Sequence, residues 1–233
     1  LKTRPPIPNF YFAYSPNVKI INNAFFIVSN GTKILINVPN TINGPNGIYS
    51  SVLLIFTINK AILKIVASEG LGVDVVSGGE LYTALEAGVP ANKIELHGNS
   101  KTEEEIIMAV ENQIYCIIAD GFDELDLIER VCQKLNKKID VTIRIRPNID
   151  IHAHEAIQTA KMDCKFGFGL FDGQAFEAAK IINASKFMKL HGVHCHIGSQ
   201  IFDSEPFASA LEIMLEFIAQ VKNETGYEAR VLD

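Results

Sequence analysis

The residues best suited to chemistry are concentrated in one run, residues 192–200, which reads Gly-Val-His-Cys-His-Ile-Gly-Ser-Gln. Alternation along a β-strand places His194 and His196 on the same face of that strand. The backbone amides of Gly198 and Ser199, together with the serine hydroxyl, suit the approach of an anion such as a phosphate group. The run therefore predicts a ligand site at the end of a strand.

Three interpretations of the two histidines are open. A His-x-His pair can hold a metal ion, but such a site needs further histidine or carboxylate ligands on other strands. His152 and His154 fall in a predicted loop, so we expect no metal. Either histidine can instead be a structural residue of the core. A histidine ring stacked on a planar cofactor, beside a serine that binds its phosphate, is the most economical interpretation.

Polar or small residues also end each of the other predicted strands from residue 74 onward, where they can equally be turn and cap residues. These residues are Asp74, Ser77, His97, Asn99, Asp120, Arg144 and Asn148. Asp74 and Arg144 carry opposite charges at the ends of apolar strands, and each costs less free energy to bury if the two are paired. Such a pair can hold a cofactor or seal a barrel, and charge alone does not decide between these roles.

The elements that position these residues alternate between short β-branched runs and amphipathic helices, which predicts β/α units on a parallel sheet. The predicted strands are 48–58, 73–76, 93–96, 115–119, 141–145, 192–196 and 230–232. The predicted helices are 60–68, 80–87, one beginning near Thr102, 122–135, 173–182 and 206–222. No G-x-G-x-x-G follows a strand, which disfavours a dinucleotide-binding sheet and favours a β/α barrel. In a barrel the carboxyl ends of the strands meet at one mouth, where reacting groups lie.

Composition narrows the class of protein. The 233 residues carry a net charge of −6, and 48% of them are hydrophobic, as in a globular domain. No Lys/Arg-rich run indicates binding to nucleic acid or to an anionic membrane, and no apolar run approaches the roughly 20 residues of a membrane-spanning helix. The scattered cysteines, which form no close pairs, predict a reducing compartment, and we expect a cytoplasmic protein.

Four motifs closely resemble those of the diaminopimelate decarboxylases, which are pyridoxal-phosphate enzymes with an alanine racemase-like barrel. The motifs are residues 70–82 (GLGVDVVSGGELY), 97–101 (HGNSK), 165–168 (KFGF) and 194–200 (HCHIGSQ). The resemblance implies an eight-stranded β/α barrel, a mostly β C-terminal domain, pyridoxal 5'-phosphate as cofactor and a homodimer. The implied reaction is the decarboxylation of meso-diaminopimelate, a small amino acid, to L-lysine.

The resemblance also implies roles for individual residues. His196 matches the histidine that stacks on the pyridine ring, and Ser199 matches the serine that binds the cofactor phosphate. Asp74 and Arg144 match the acidic and basic pair that lines the cofactor site. The Schiff-base lysine of the family falls at Ile55, and isoleucine cannot form an imine. Lys60, five residues later, reaches the cofactor only after a shift of register.

The chain also departs from the family in extent. It begins with Leu1 and ends at Asp233, before the glycine-rich phosphate loop and the C-terminal β domain, and we therefore expect a truncated member. We expect a divergent segment over residues 1–50 and a partial barrel over residues 51–233. This barrel has at most seven predicted strands, which leaves an open sheet edge.

Alternatives of different classes remain. An ornithine- or arginine-type decarboxylase is the nearest one, and the His-Ile-Gly-Ser-Gln run argues mildly against it. A non-catalytic barrel that binds or regulates an active homologue is the second, and Ile55 is the feature that favours it. A metal-dependent hydrolase on the same barrel requires ligands beyond His194 and His196.

Overall fold

The computed structural model describes residues 18–21, 24–29, 32–37, 40–43, 48–53, 59–147, 166–198, 205–227 and 231–233. Of the strands before residue 54 it describes the backbone. The chain divides into two compact units, Leu1–Asn37 and Val38–Asp233. In the first unit, three strands pair in order as an antiparallel sheet: β1 (Val18–Ile21), β2 (Ala24–Ser29) and β3 (Thr32–Asn37).

The second unit is an α/β barrel, which confirms the predicted fold class. Its strands are β4 (Asn40–Asn43), β5 (Ile48–Leu53), β6 (Gly72–Val75), β7 (Ile94–Leu96), β8 (Cys116–Ala119), β9 (Ile139–Arg146), β10 (Phe168–Gly169), β11 (Met188–His194) and β12 (Val231–Leu232). Its helices are α1 (Lys60–Ser68), α2 (Gly78–Glu86), α3 (Glu103–Asn112), α4 (Phe122–Leu135), α5 (Gln174–Ala184) and α6 (Glu205–Thr225).

The pairing of the strands closes a ring. Among the described residues, seven strands of the ring run parallel, β5 to β9 followed by β11 and β12. This number agrees with the sequence prediction. The expected open edge is not found, because β4 pairs antiparallel with both β12 and β5. β10 adds two residues alongside the carboxyl end of β9.

The core lies between the strands and the inner faces of the helices. All four residues of β8 are buried, and α4 buries Leu125, Ile128, Val131 and Cys132 on one face. Each large apolar side chain buried in this way contributes roughly 1.5–3 kcal/mol. No helix in the described part of the chain has both the length and the apolar character required to cross a membrane.

Helix boundaries follow local signals closely, whereas one strand boundary does not. Helices α1 and α4 begin and end at the predicted residues. The strand predicted over residues 192–196 is observed at Met188–His194, so His196 lies after the strand and not within it. The prediction missed the start because exposed Lys189 and polar His191 interrupt the apolar pattern. The predicted strand 48–58 is observed at Ile48–Leu53, and residues 54–58 lie outside the described residues.

Candidate active site

The carboxyl ends of the parallel strands bring polar side chains together, as the barrel prediction requires. Asp74 lies on β6, His97 follows β7, Asp120 follows β8, and His194 ends β11. All four residues are buried, with between 3% and 9% of their surface exposed. Because buried polar side chains need partners, their contacts show how the site is built.

Asp74, Glu95 and His97 form the first cluster. His97 Nε2 lies 3.9 Å from Asp74 Oδ2 and 3.7 Å from Glu95 Oε2. Burial raises the pKa of Glu95 well above its usual value, and the nearby charge of Asp233 raises it further. Burial also lowers the pKa of His97 to about 4, against the opposing effect of Asp74, so this imidazole is neutral at neutral pH.

His194 and Asp233 form the second cluster. His194 Nδ1 lies 2.6 Å from Asp233 Oδ2, and both side chains are buried. Burial acts to raise the pKa of Asp233, but the attraction and the hydrogen bond of His194 outweigh it and hold that pKa below its usual value. The rings of His97 and His194 meet edge-on with centroids 4.8 Å apart, which joins the two clusters.

Arg144 has a partner other than the one considered from the sequence. Its Nη1 lies 3.3 Å from Asp120 Oδ1, and its guanidinium carbon lies 4.8 Å from the centroid of the Phe166 ring. Asp74 instead faces His97. The expected pairing of Asp74 with Arg144 is therefore replaced by two separate contacts, because Asp120 ends the strand adjacent to that of Arg144.

The remaining predicted residues are only partly described. His196 is half-buried, and its pKa is lowered to about 4, first by burial and then by His194 and Arg144, so its ring is neutral. Ser199 and Ile55 lie outside the described residues. Lys60 is half-exposed at the start of α1, where its Nζ lies 3.2 Å from Glu86 Oε2.

Glu95 and Asp233 belong to the site but were not predicted from the sequence. Glu95 stands between Ile94 and Leu96 in a strand whose three residues are all buried. A charged residue within so apolar a strand was the available signal. Asp233 follows a strand of two residues, and no local pattern distinguishes it.

Buried polar side chains at the carboxyl ends of parallel strands define the class: a β/α-barrel protein with its site at the barrel mouth. A family model described as "Pyridoxal-dependent decarboxylase, pyridoxal binding domain" matches residues 56–233. The chain therefore belongs to this family of pyridoxal-dependent decarboxylases.

Individual relatives agree with the family model. The chain is 48% identical over 173 residues to the diaminopimelate decarboxylase of Bacillus methanolicus, covering 74% of this chain and 40% of that protein. For the enzyme of Bacillus subtilis the identity is 44% over 173 residues, covering 74% of this chain and 39% of the relative.

Solved structures agree as well. The crystal structure of diaminopimelate decarboxylase from Methanocaldococcus jannaschii with L-lysine aligns at a TM-score of 0.71 and 39% identity, covering 76% of this chain and 41% of that one. The L-lysine complex of the Helicobacter pylori enzyme aligns at 0.69 and 34% identity, covering 76% and 44%. The chain spans about two fifths of the length of these relatives.

Proposed function

We propose that this chain is the pyridoxal phosphate-binding barrel of a diaminopimelate decarboxylase, which converts meso-diaminopimelate to L-lysine. The observation that carries the proposal is the 48% identity of this chain, over 173 residues, to a diaminopimelate decarboxylase. The proximity of Arg144 and His196, which lowers the pKa of that histidine, supports the proposal.

The described donor set fits a planar, anionic cofactor. The neutral ring of His196 provides a flat apolar surface, and Arg144 provides a cation beside it. Gly198 has a φ of 146°, a conformation that L side chains rarely adopt, so its backbone can approach a ligand closely. Ser199 is proposed as the phosphate ligand. When bound, pyridoxal phosphate supplies an electron sink for decarboxylation.

The protein groups have separate tasks in this proposal. His196 stacks on the pyridine ring and orients it, while Asp74 and Arg144 set the electrostatic field along the site. The covalent lysine of the family is replaced by Ile55, so no lysine at that position tethers the cofactor. Noncovalent binding at this site therefore rests on stacking, on charge and on the contacts of Gly198 and Ser199 with the phosphate.

Two substitutions test the site. We expect His196→Gln to weaken the binding of pyridoxal phosphate by at least about tenfold, or about 1.4 kcal/mol. The matched control is His191→Gln, because His191 is a histidine within β11 whose Nδ1 lies 3.5 Å from Asp140 Oδ2, away from the proposed site residues. Absorbance titration of the purified chain measures both affinities. Equal affinities for the two variants would contradict the proposed site.

Borohydride reduction followed by mass spectrometry then distinguishes the catalytic proposal from its rival. A single adduct on Lys60 would support a shifted attachment point and the decarboxylase. Binding without any adduct, and without release of CO₂ from meso-diaminopimelate, would favour the second candidate, a non-catalytic barrel that acts as a binding or regulatory partner. Ile55 is the observation that favours this second candidate.

Two further features belong to the proposal. The resemblance to the family supports a homodimer, which light scattering of the purified protein tests.

A cytoplasmic location is supported by Cys116, Cys132 and Cys195, which are free thiols in the described residues. Fractionation of cells that express the protein tests the location.

A further inference from the structure

The barrel interior contains a second group of polar side chains, of which only Asp74 has a task in the proposed function. Glu95 and His97 belong to it, together with Asp74 on the neighbouring strand. The register pairs Asp74 with Glu95. His196 lies two residues beyond the end of β11 and is not a member of this group.

The distances between the donor atoms of this group suit coordination of a single metal ion. His97 Nε2 lies 3.9 Å from Asp74 Oδ2 and 3.7 Å from Glu95 Oε2. These separations are too long for hydrogen bonds, which span about 2.7–3.2 Å. Bonds of about 2.1 Å to a tetrahedral Zn²⁺ place donor atoms about 3.4 Å apart. Small side-chain rotations therefore bring the three atoms into coordinating positions.

Two of the three donor atoms have no other partner among the described residues. Glu95 Oε2 and His97 Nε2 are both fully buried and make no hydrogen bond. The exposed fractions of these two side chains are 4% and 10%. Leaving a buried polar atom without a partner destabilises the folded chain, and more so for a charged group. A ligand that satisfies both atoms recovers that free energy.

The carboxyl groups of this part of the barrel interior also favour the binding of a cation. Asp74, Glu95 and Asp233 place carboxyl groups within one part of the barrel interior. The buried cation Lys101 already contacts Glu124, and the partly buried Arg144 already contacts Asp120. A divalent ion neutralises two carboxylates at once, which removes most of the cost of burying them.

His194 adjoins this group through His97. Its Nδ1 contacts Asp233 at 2.6 Å, an arrangement that fixes the orientation of the ring. The ring meets that of His97 edge-on at 4.8 Å. His194 thus limits the movement of the His97 ring.

We propose that Asp74, Glu95 and His97 form a divalent metal site in the barrel interior, with zinc as its preferred ion. Two carboxylate oxygens and one imidazole nitrogen are a donor set that zinc accepts. The site differs from a metal site built on His194 and His196, because its ligands lie on β6 (Asp74), on β7 (Glu95) and directly after β7 (His97). It shares Asp74 with the proposed cofactor site, but zinc binding is measured without the cofactor and is therefore tested separately.

Zinc alone is the probe. The full chain, stripped with a chelator, is dialysed against zinc, and the bound metal is measured by mass spectrometry and by competition with a chromophoric chelator. We expect about one tightly bound zinc per chain. Glu95→Gln and His97→Gln should each weaken binding by more than about a hundredfold, beyond the loss typical of an outer-shell partner.

Matched controls come from the other histidine–carboxylate contact of β11. His191→Gln and Asp140→Asn remove groups 3.5 Å apart, and both variants should bind zinc as the unaltered chain does. If Glu95→Gln and His97→Gln also bind as the unaltered chain does, the ion lies elsewhere and the proposal is wrong. Circular dichroism of each variant establishes that it is folded.

Cobalt substitution gives a test that needs no variant. Cobalt at the proposed site has oxygen and nitrogen ligands, so its spectrum should show no sulfur-to-metal charge-transfer band in the near ultraviolet. Such a band would place the ion on the cysteines and overturn the proposal. Failure of the unaltered chain to retain either metal would also overturn it.

Discussion

At the scale of single residues, the buried charges of this barrel depend on a few short contacts. Lys101 is the clearest example, because its side chain is 1% exposed. Its Nζ donates to Glu124 Oε1 and to the carbonyl oxygens of Gly98 and Ile118, each at 2.7 Å. One ammonium group thereby holds the loop after β7 against β8 and α4.

We predict that Lys101→Met lowers the free energy of unfolding by about 3–5 kcal/mol, the range for breaking a buried ion pair. The substitution leaves the Glu124 carboxylate and two carbonyl oxygens without their donor. Urea denaturation followed by circular dichroism measures the loss. The double variant Lys101→Met with Glu124→Leu should recover part of it, because no charge is then left unpaired.

Lys60 provides the control for this prediction. Its pair with Glu86 spans 3.2 Å, but both side chains are about half-exposed. Exposed pairs contribute about 0–1 kcal/mol, so Lys60→Met should change stability by no more than that amount. A similar loss for Lys60→Met and Lys101→Met would show that burial of the pair does not determine its contribution.

At the scale of the elements, one glutamate connects two helix beginnings. Thr102 and Glu105 form a capping box at the start of α3. The carboxylate of Glu105 accepts from the Thr102 N–H at 2.9 Å and from the Gly78 N–H of α2 at 2.6 Å. The Glu105 carboxylate therefore accepts hydrogen bonds from backbone N–H groups at the starts of both α2 and α3.

We predict that Glu105→Ala costs about 2–3 kcal/mol of stability, because it removes two hydrogen bonds to backbone donors by a charged acceptor. Thr102→Ala removes the other half of the box and should cost about 1 kcal/mol. Thermal or urea denaturation of both variants measures the difference. Glu104→Ala, at an exposed neighbouring position, should have an effect of a few tenths of a kcal/mol. Equal losses for Glu105→Ala and Thr102→Ala would indicate that the link to α2 contributes nothing.

These elements also show which features of the structure are predictable from the sequence and which are not. Caps and amphipathic periods lie within one helix, so the bounds of α1 and α4 were predictable from local residues. The partner of Arg144 was not predictable, because Asp120 comes from another strand. Asp233 was not predictable for the same reason, because its burial depends on the pairing of β12 and not on neighbours in the chain. Glu95 did carry a local signal, since it is a charged residue within an apolar strand.

At the scale of the whole molecule, the ring depends on close contact between β11 and β12. Gly192 pairs with Val231, next to an irregularity in the pairing of β11 with β9. The Asp233 N–H donates to the Val193 carbonyl at 3.0 Å, and the Cys195 N–H donates to the Asp233 carbonyl at 3.0 Å. These bonds place Asp233 beside His194, so the site and the closure of the barrel depend on the same contact.

The last prediction follows from the space around Gly192. A Cβ at this position would overlap the carbonyl oxygen of Val231, which is backbone and cannot rotate away. We expect Gly192→Ala to lower the free energy of unfolding by about 3 kcal/mol or more, at the upper end of the cost of overpacking. Urea denaturation measures this loss, and hydrogen exchange should show faster exchange at the Asp233 amide. Gly121→Ala is the control, because a Cβ at Gly121 meets nothing within 4 Å, and its cost should stay below about 1 kcal/mol. Equal stability of the two variants, with unchanged exchange at Asp233, would mean that β12 does not close the barrel against β11.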